Sequence, residues 1–136
     1  MGIQFPSDEW IEELMTRLNN SKGYKTAAAN WEGDFAFVIN KGGPITEDTY
    51  LYMDLHHGEC RSARKLASAT EVDPAFVMSA PLATWKKVLS GKLDPIRGLM
   101  GRQLKLKGNM MQVMKAPKAA LEMVKCAEEI DTDWPA

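Results

Sequence analysis

Few residues in this chain have the type and spacing to do chemistry. Its only two histidines, His56 and His57, are adjacent, and Cys60 follows three positions later, a spacing that invites a metal-ligand reading. Neighbouring residues of a strand point to opposite faces, so the two imidazoles are not expected to share one ion, and no metal site is expected. Ser62, Ser68 and Ser79 have no motif-level base partner, and no Gly-x-Ser-x-Gly elbow is present. Gly42–Gly43–Pro44 lacks the Lys-Ser/Thr of a phosphate-binding loop and precedes no helix, so it reads as a turn. Cys60 and Cys126 have no CxxC spacing and read as reduced thiols, although only geometry decides whether they pair. No catalytic residue and no cofactor are therefore expected, and the chain is not read as an enzyme.

The elements that would position any site must come from 136 residues, enough for one domain and too few for two ordinary ones. A formal net charge of −1, with Lys and Arg spread along the chain, argues against a nucleic-acid partner, which needs a concentrated basic surface. The N-terminal MGIQFPSDEW has no basic region followed by an apolar run, and no apolar stretch approaches the ~20 residues that span a bilayer. The C-terminal DTDWPA is no peroxisomal address, and the expected location is cytoplasmic. Lys86, Lys87, Lys92, Arg97, Arg102, Lys105 and Lys107 crowd one third of the sequence; they read as a solvated face or as a site of transient contact with anionic headgroups or CoA phosphates. Of nine methionines, Met100, Met110, Met111 and Met114 fall close together, either as core filler or as a wall that adapts to a flexible apolar guest. Trp134 could dock on the body, dangle, or contact a second chain.

Periodicity predicts the elements. Ser7 caps a helix whose stripe is Trp10, Ile11, Leu14, Met15 and Leu18, and a short helical piece is expected around Lys25 to Asn30. Phe35, Phe37 and Ile39 alternate with Ala36, Val38 and Asn40, and Thr49 to His56 alternates again with Leu51, Met53 and Leu55 on one face. Gly58 turns the chain into a more polar strand, Cys60 to Ala67, expected at an edge, and the three strands form an antiparallel meander. Ala75 to Met78 is a strand or a buried turn. Pro81 opens a helix carrying Leu82, Trp85, Val88 and Leu89 and ending at Gly91; Asp94–Pro95 opens another, with Ile96, Leu99 and Met100, stopping at Gly101. Gln103 to Lys107 alternates as a strand, Asn109 caps a further turn, and Pro117 starts a terminal helix through Ile130. This order is not the regular alternation of a doubly wound fold and predicts α+β, with N-terminal helices over 7–30 and a sheet with helices over 33–130 of a single 1–136 domain.

From Leu89 the chain reads LSGKLDPIRGLMGRQLKLKGNMMQVMKAPKAAL. This stretch resembles the sterol carrier protein (SCP2-like, sterol-transfer) family, in Gly91–Lys92, Asp94–Pro95, Gly101, the strand Leu104–Lys107 and Gly108–Asn109. GDFAFVIN, TYLYMDLHHGECRSAR and AFVMSAPLATWKKVL occupy the places of the family's earlier strands and helix, so the likeness spans roughly residues 30 to 130. The resemblance implies one five-stranded, mostly antiparallel sheet covered by helices, with an apolar cavity between the layers. It also implies a lipid-like ligand (fatty acid, acyl-CoA or sterol) held by Leu51, Met53, Leu55, Leu104 and Leu106 from strands, and by Trp85, Leu89, Ile96, Met100, Met110, Met111 and Met114 from helices.

Binding of this kind is passive. A chain of about 14 methylenes gains roughly 11 kcal/mol on burial, and the same is lost on leaving a bilayer, so transfer is close to balanced. A carrier then needs a dry cavity and a mobile wall, for which Met110 to Met114 and the terminal helix are the candidates. The other readings are an accessory module presenting lipid-like substrates to a partner enzyme, and a homodimer whose cavity is partly filled by protein.

Overall fold

The structure is a computed structural model that describes residues 2–135; Met1 and Ala136, the ends of the expected 1–136 unit, lie outside the described residues. Ser7 accepts a hydrogen bond from the Trp10 backbone N–H at 3.0 Å and so caps α1, Asp8–Asn19. The apolar stripe then buries Trp10, Ile11, Leu14 and Leu18 on one face. The second helix, α2, is Lys22–Ala27, three residues earlier than expected. Ser21 caps it through the Tyr24 N–H, and Gly23 stands where a Cβ would collide with the Glu122 carboxylate.

The main sheet has five strands, and in chain order the third, second, first, fourth and fifth of them lie side by side. They are β2 Phe35–Asn40, β3 Thr49–His56, β4 Glu59–Leu66, β5 Phe76–Pro81 and β6 Lys105–Lys107. The meander β2-β3-β4 is antiparallel, β5 returns parallel to β2, and β6 closes antiparallel to β5. The polar strand β4 does stand at an edge, and α1 lies along it. Asp8 accepts from the Lys65 N–H at 2.7 Å, while Asn19 both donates to the Cys60 carbonyl at 2.9 Å and accepts from its N–H at 2.8 Å. Those side chains occupy backbone groups that would otherwise be open to another chain.

The run at Ala75 to Met78 settles as strand β5, which extends to Pro81. Pro81 is therefore extended, at φ −70 and ψ 160, and the next helix α3 begins one residue later as Leu82–Leu89. Helix α4, Pro95–Met100, is capped by Asp94 through the Ile96 and Arg97 N–H groups. Gly101 ends it with an ordinary φ of −83, and the left-handed residue that reverses the chain is Arg102, at φ 61. Gly108 is different. At φ 131 a Cβ there would sit 2.8 Å from the Phe76 ring, and one on Gly33 would sit 2.6 Å from the same ring. The two glycines thus make room for a buried phenylalanine.

After β6 come α5, Met110–Met114, and α6, Pro117–Glu128. A two-stranded parallel ladder then joins β1, Ile3–Gln4, to β7, Thr132–Asp133. Trp134 docks on the body against Phe5, with ring centroids 5.0 Å apart, and the Lys86 ammonium lies 5.9 Å from its ring centroid. No described helix is long and apolar enough to cross a membrane.

Candidate functional site

Between the inner face of the sheet and the helices lies a cavity of about 110 Å³. The sheet contributes Phe35, Phe37 and Ile39 from β2, Leu51 and Leu55 from β3 and Met78 from β5. These are alternate residues of neighbouring strands, as the pleat requires of one face. The helices contribute Trp10, Ile11 and Leu14 from α1, Tyr24 from α2, Trp85, Val88 and Leu89 from α3, Ile96 and Leu99 from α4, and Val113 from α5. Ala116, Ala119, Ala120, Met123 and Val124 line the cavity at α6, and Phe5, Trp31 and Pro95 add to the wall.

Aromatic rings of this wall pack on one another and on the buried Phe76 behind it. Phe35 stacks on Phe37 at 5.2 Å and on Phe76 at 4.9 Å, Trp31 stacks on Phe35 at 5.8 Å, and Phe37 meets Trp85 edge-on at 5.8 Å. The polar handles of the three lining indoles are all spent elsewhere. Trp10 donates to the Thr132 hydroxyl, Trp31 to the Gly33 carbonyl and Trp85 to the Val38 carbonyl, each at 2.9 Å. What faces the space is carbon. Tyr24 is the one titratable lining residue, and burial, reinforced by Cys60 and Cys126, pushes its phenol well above the ordinary value. Such a lining offers apolar contact, and it pairs no nucleophile with a base.

Of the residues expected at the ligand, Leu51, Leu55, Trp85, Leu89 and Ile96 line the cavity. Met53 is fully buried in the core beside its register partner Ala63, off the cavity surface. Leu104 is buried over Gly98, and Leu106 is half-buried on the closing strand β6; neither reaches the space. The four methionines expected from the helices stand away from the cavity. Met100 is 69% exposed, Met111 64% and Met110 40%, and Met114 is only half-buried outside the lining. A helix as short as α5 turns one residue inward, and that residue is Val113. Lining residues beyond those expected include the aromatic run of β2, the α1 stripe and the alanines of α6. The alternation Phe35–Phe37–Ile39 is the sequence signal for the first of these.

The seven crowded basic residues from Lys86 to Lys107 are all exposed, and none makes an ion pair among the described residues. Cys60 and Cys126 are buried and unpaired. The histidines depart from the strand argument. His57 leaves β3 in the left-handed region, at φ 49, so its ring turns back beside that of His56, with centroids 4.2 Å apart. Its Nε2 lies 2.7 Å from Oε1 of Glu32, whose carboxyl is held below the usual range by that contact.

A model of the SCP-2 sterol transfer family matches residues 11–120. The crystal structure of a sterol carrier protein 2 is similar at 34% identity and a TM-score of 0.81, covering 91% of this chain and 97% of that one. The solution structure of a conserved hypothetical protein from Thermus thermophilus, suggested there to be a sterol carrier protein, is similar at 33% identity and a TM-score of 0.84, covering 97% and 95%. A stereoselective inverting sec-alkylsulfatase from Pseudomonas sp. shares the fold alone, at 15% identity and a TM-score of 0.51 over 81% of this chain and 15% of the enzyme. No curated protein sequence matches the chain.

Proposed function

The chain belongs to the SCP-2 sterol transfer family, and on that premise we propose that it is a lipid-binding and lipid-transfer domain holding a fatty-acyl, acyl-CoA or sterol-like ligand by passive binding. The observation that supports this reading is the cavity whose lining presents carbon while its indole N–H groups are satisfied elsewhere. Burial of hydrocarbon is the interaction such a wall offers, at roughly 0.8 kcal/mol per methylene. The domain needs no catalytic group of its own in this role. Two buried, unpaired thiols favour a reducing compartment, and the cytoplasm is the location we propose.

The cavity volume bears on mechanism. About 110 Å³ is of the order of a void that takes one benzene ring, far short of a long acyl chain. Entry of such a ligand requires a wall to move. The sheet is a poor candidate, because its strands are pinned to neighbours through backbone hydrogen bonds. The five-residue helix α5 and the start of α6 are better ones, since they contribute Val113 and four small or flexible residues to the lining.

Native mass spectrometry of freshly purified protein, followed by titration with a fluorescent fatty acid, tests the reading. A co-purifying lipid mass and saturable one-to-one binding support it. A lipid-free monomer that takes up neither fatty acid, acyl-CoA nor sterol would overturn it, and a lipid-free dimer would favour a cavity closed by protein.

A further inference from the structure

We propose that Glu32, His56 and His57 form a binding site for a divalent transition-metal ion of the zinc class, at the surface and apart from the apolar cavity. One ligand atom from each residue lies within 4.8 Å of the other two, and the His57 Nε2 to Glu32 Oε1 distance is 2.7 Å. Zinc binds imidazole nitrogen and carboxylate oxygen at about 2.0–2.2 Å, which places neighbouring ligand atoms roughly 3 Å apart. The ligand atoms need only close from at most 4.8 Å to that spacing, and Glu32 and His57 are exposed.

The backbone beneath the three is fixed. Glu32 and His56 form an antiparallel bridge, the His57 N–H donates to the Trp31 carbonyl at 2.7 Å, and the Gly33 N–H donates to the Leu55 carbonyl at 3.3 Å. Gly58, next in the turn, packs so closely on α2 that a Cβ would meet the Lys25 carbonyl oxygen at 2.7 Å. The turn is therefore held on both sides, and the left-handed conformation of His57 follows from where it is held. These are also the only imidazoles in the chain, and both stand at this one place. Two imidazoles and one carboxylate suit zinc, copper or nickel and are a poor match for calcium or magnesium, which prefer all-oxygen sets. Exposure leaves the remaining coordination positions to water.

The test is calorimetric titration of the full chain with zinc chloride, with magnesium chloride as the control. The variants are E32Q, H56Q and H57N, asparagine being chosen because it tolerates a positive φ. One saturable equivalent of zinc and none of magnesium is expected. Losing an outer-shell partner of a metal site already costs about 10–100-fold in affinity, so each ligand variant should weaken zinc binding at least tenfold. Proton NMR of the unaltered protein gives an independent reading, in which both imidazoles shift together at one equivalent. Zinc binding that survives in an H56Q/H57N double variant would overturn the proposal. So would a response of His57 alone, which would leave His56 outside the site, or the absence of saturable binding.

Discussion

The side-chain amide of Gln112, in the middle of α5, donates to the backbone carbonyl oxygen of Glu32 at 2.8 Å, joining residues 80 positions apart. Among the described residues no other side chain of α5 hydrogen-bonds beyond the helix and its cap. The bond ties α5, the part of the cavity wall proposed to move, to the approach of the central strand β2. Replacing it in Gln112→Ala should cost no more than about 1 kcal/mol, because the bond is exposed and water competes for it. Amide exchange across α5 and the on- and off-rates of a fluorescent fatty acid should both rise. Unchanged rates would mean that Val113 packing alone holds the wall.

Filling the cavity should separate its role in binding from its role in stability. Ala120 is half-buried and lines the space from α6, so Ala120→Phe directs a ring into about 110 Å³ of void. Thermal stability should hold or rise, while fatty-acid affinity falls at least tenfold. Full affinity in a folded Ala120→Phe protein would place the ligand elsewhere.

Enlarging it should do the reverse. Leu51 is 1% exposed on β3 and faces the cavity, and a buried leucine cut to alanine typically loses about 2–5 kcal/mol. Leu51→Ala should lower the denaturation midpoint accordingly and accept a bulkier apolar probe than the parent. A destabilised variant with an unchanged size limit would show that Leu51 packs the core without shaping the site.

Alkaline pH should destabilise the fold. Burial pushes the Cys60 thiol up to about 12 and raises those of Cys126 and the Tyr24 phenol as well. A raised value in the folded state means that the unfolded chain loses its proton first. Stability is then intact below about pH 8.5, where the unfolded thiol is still protonated, and declines as pH rises toward 12. Denaturation midpoints measured from pH 7 to 11 should fall, and the native thiols should resist a disulfide reagent at pH 8 until the protein is unfolded. Fast labelling of the native protein would contradict the burial of Cys60.

Local signals carried most of the fold. Leu51, Met53 and Leu55 face inward as their alternation requires, Ser7 caps its helix, and the polar strand β4 takes the edge. Those patterns repeat over enough residues to fix a period. Five residues of α5 do not, and a run of Met-Met-Gln-Val-Met is apolar at almost every phase, so the sequence could not say that Val113 turns inward and Met111 outward. His57 failed differently. Strand geometry does not apply at its position, because its left-handed conformation depends on the hydrogen bond to Trp31 and the docking of Gly58 on Lys25, both distant in sequence. The pairing of Ile3 with Thr132 is longer-range still, and two-residue strands carry no periodicity at all.

That terminal ladder has a mechanical consequence. Because β1 and β7 run parallel, residue 2 leaves one end of the pair and Trp134 leaves the other. Tension applied through the chain ends slides the strands past each other, so the bonds from Ile3 to Asp131 and from Phe5 to Asp133 share the load instead of breaking in turn. Phe5, which lines the cavity, and the indole of Trp10, hydrogen-bonded to Thr132, are points at which that load would pass into the cavity wall.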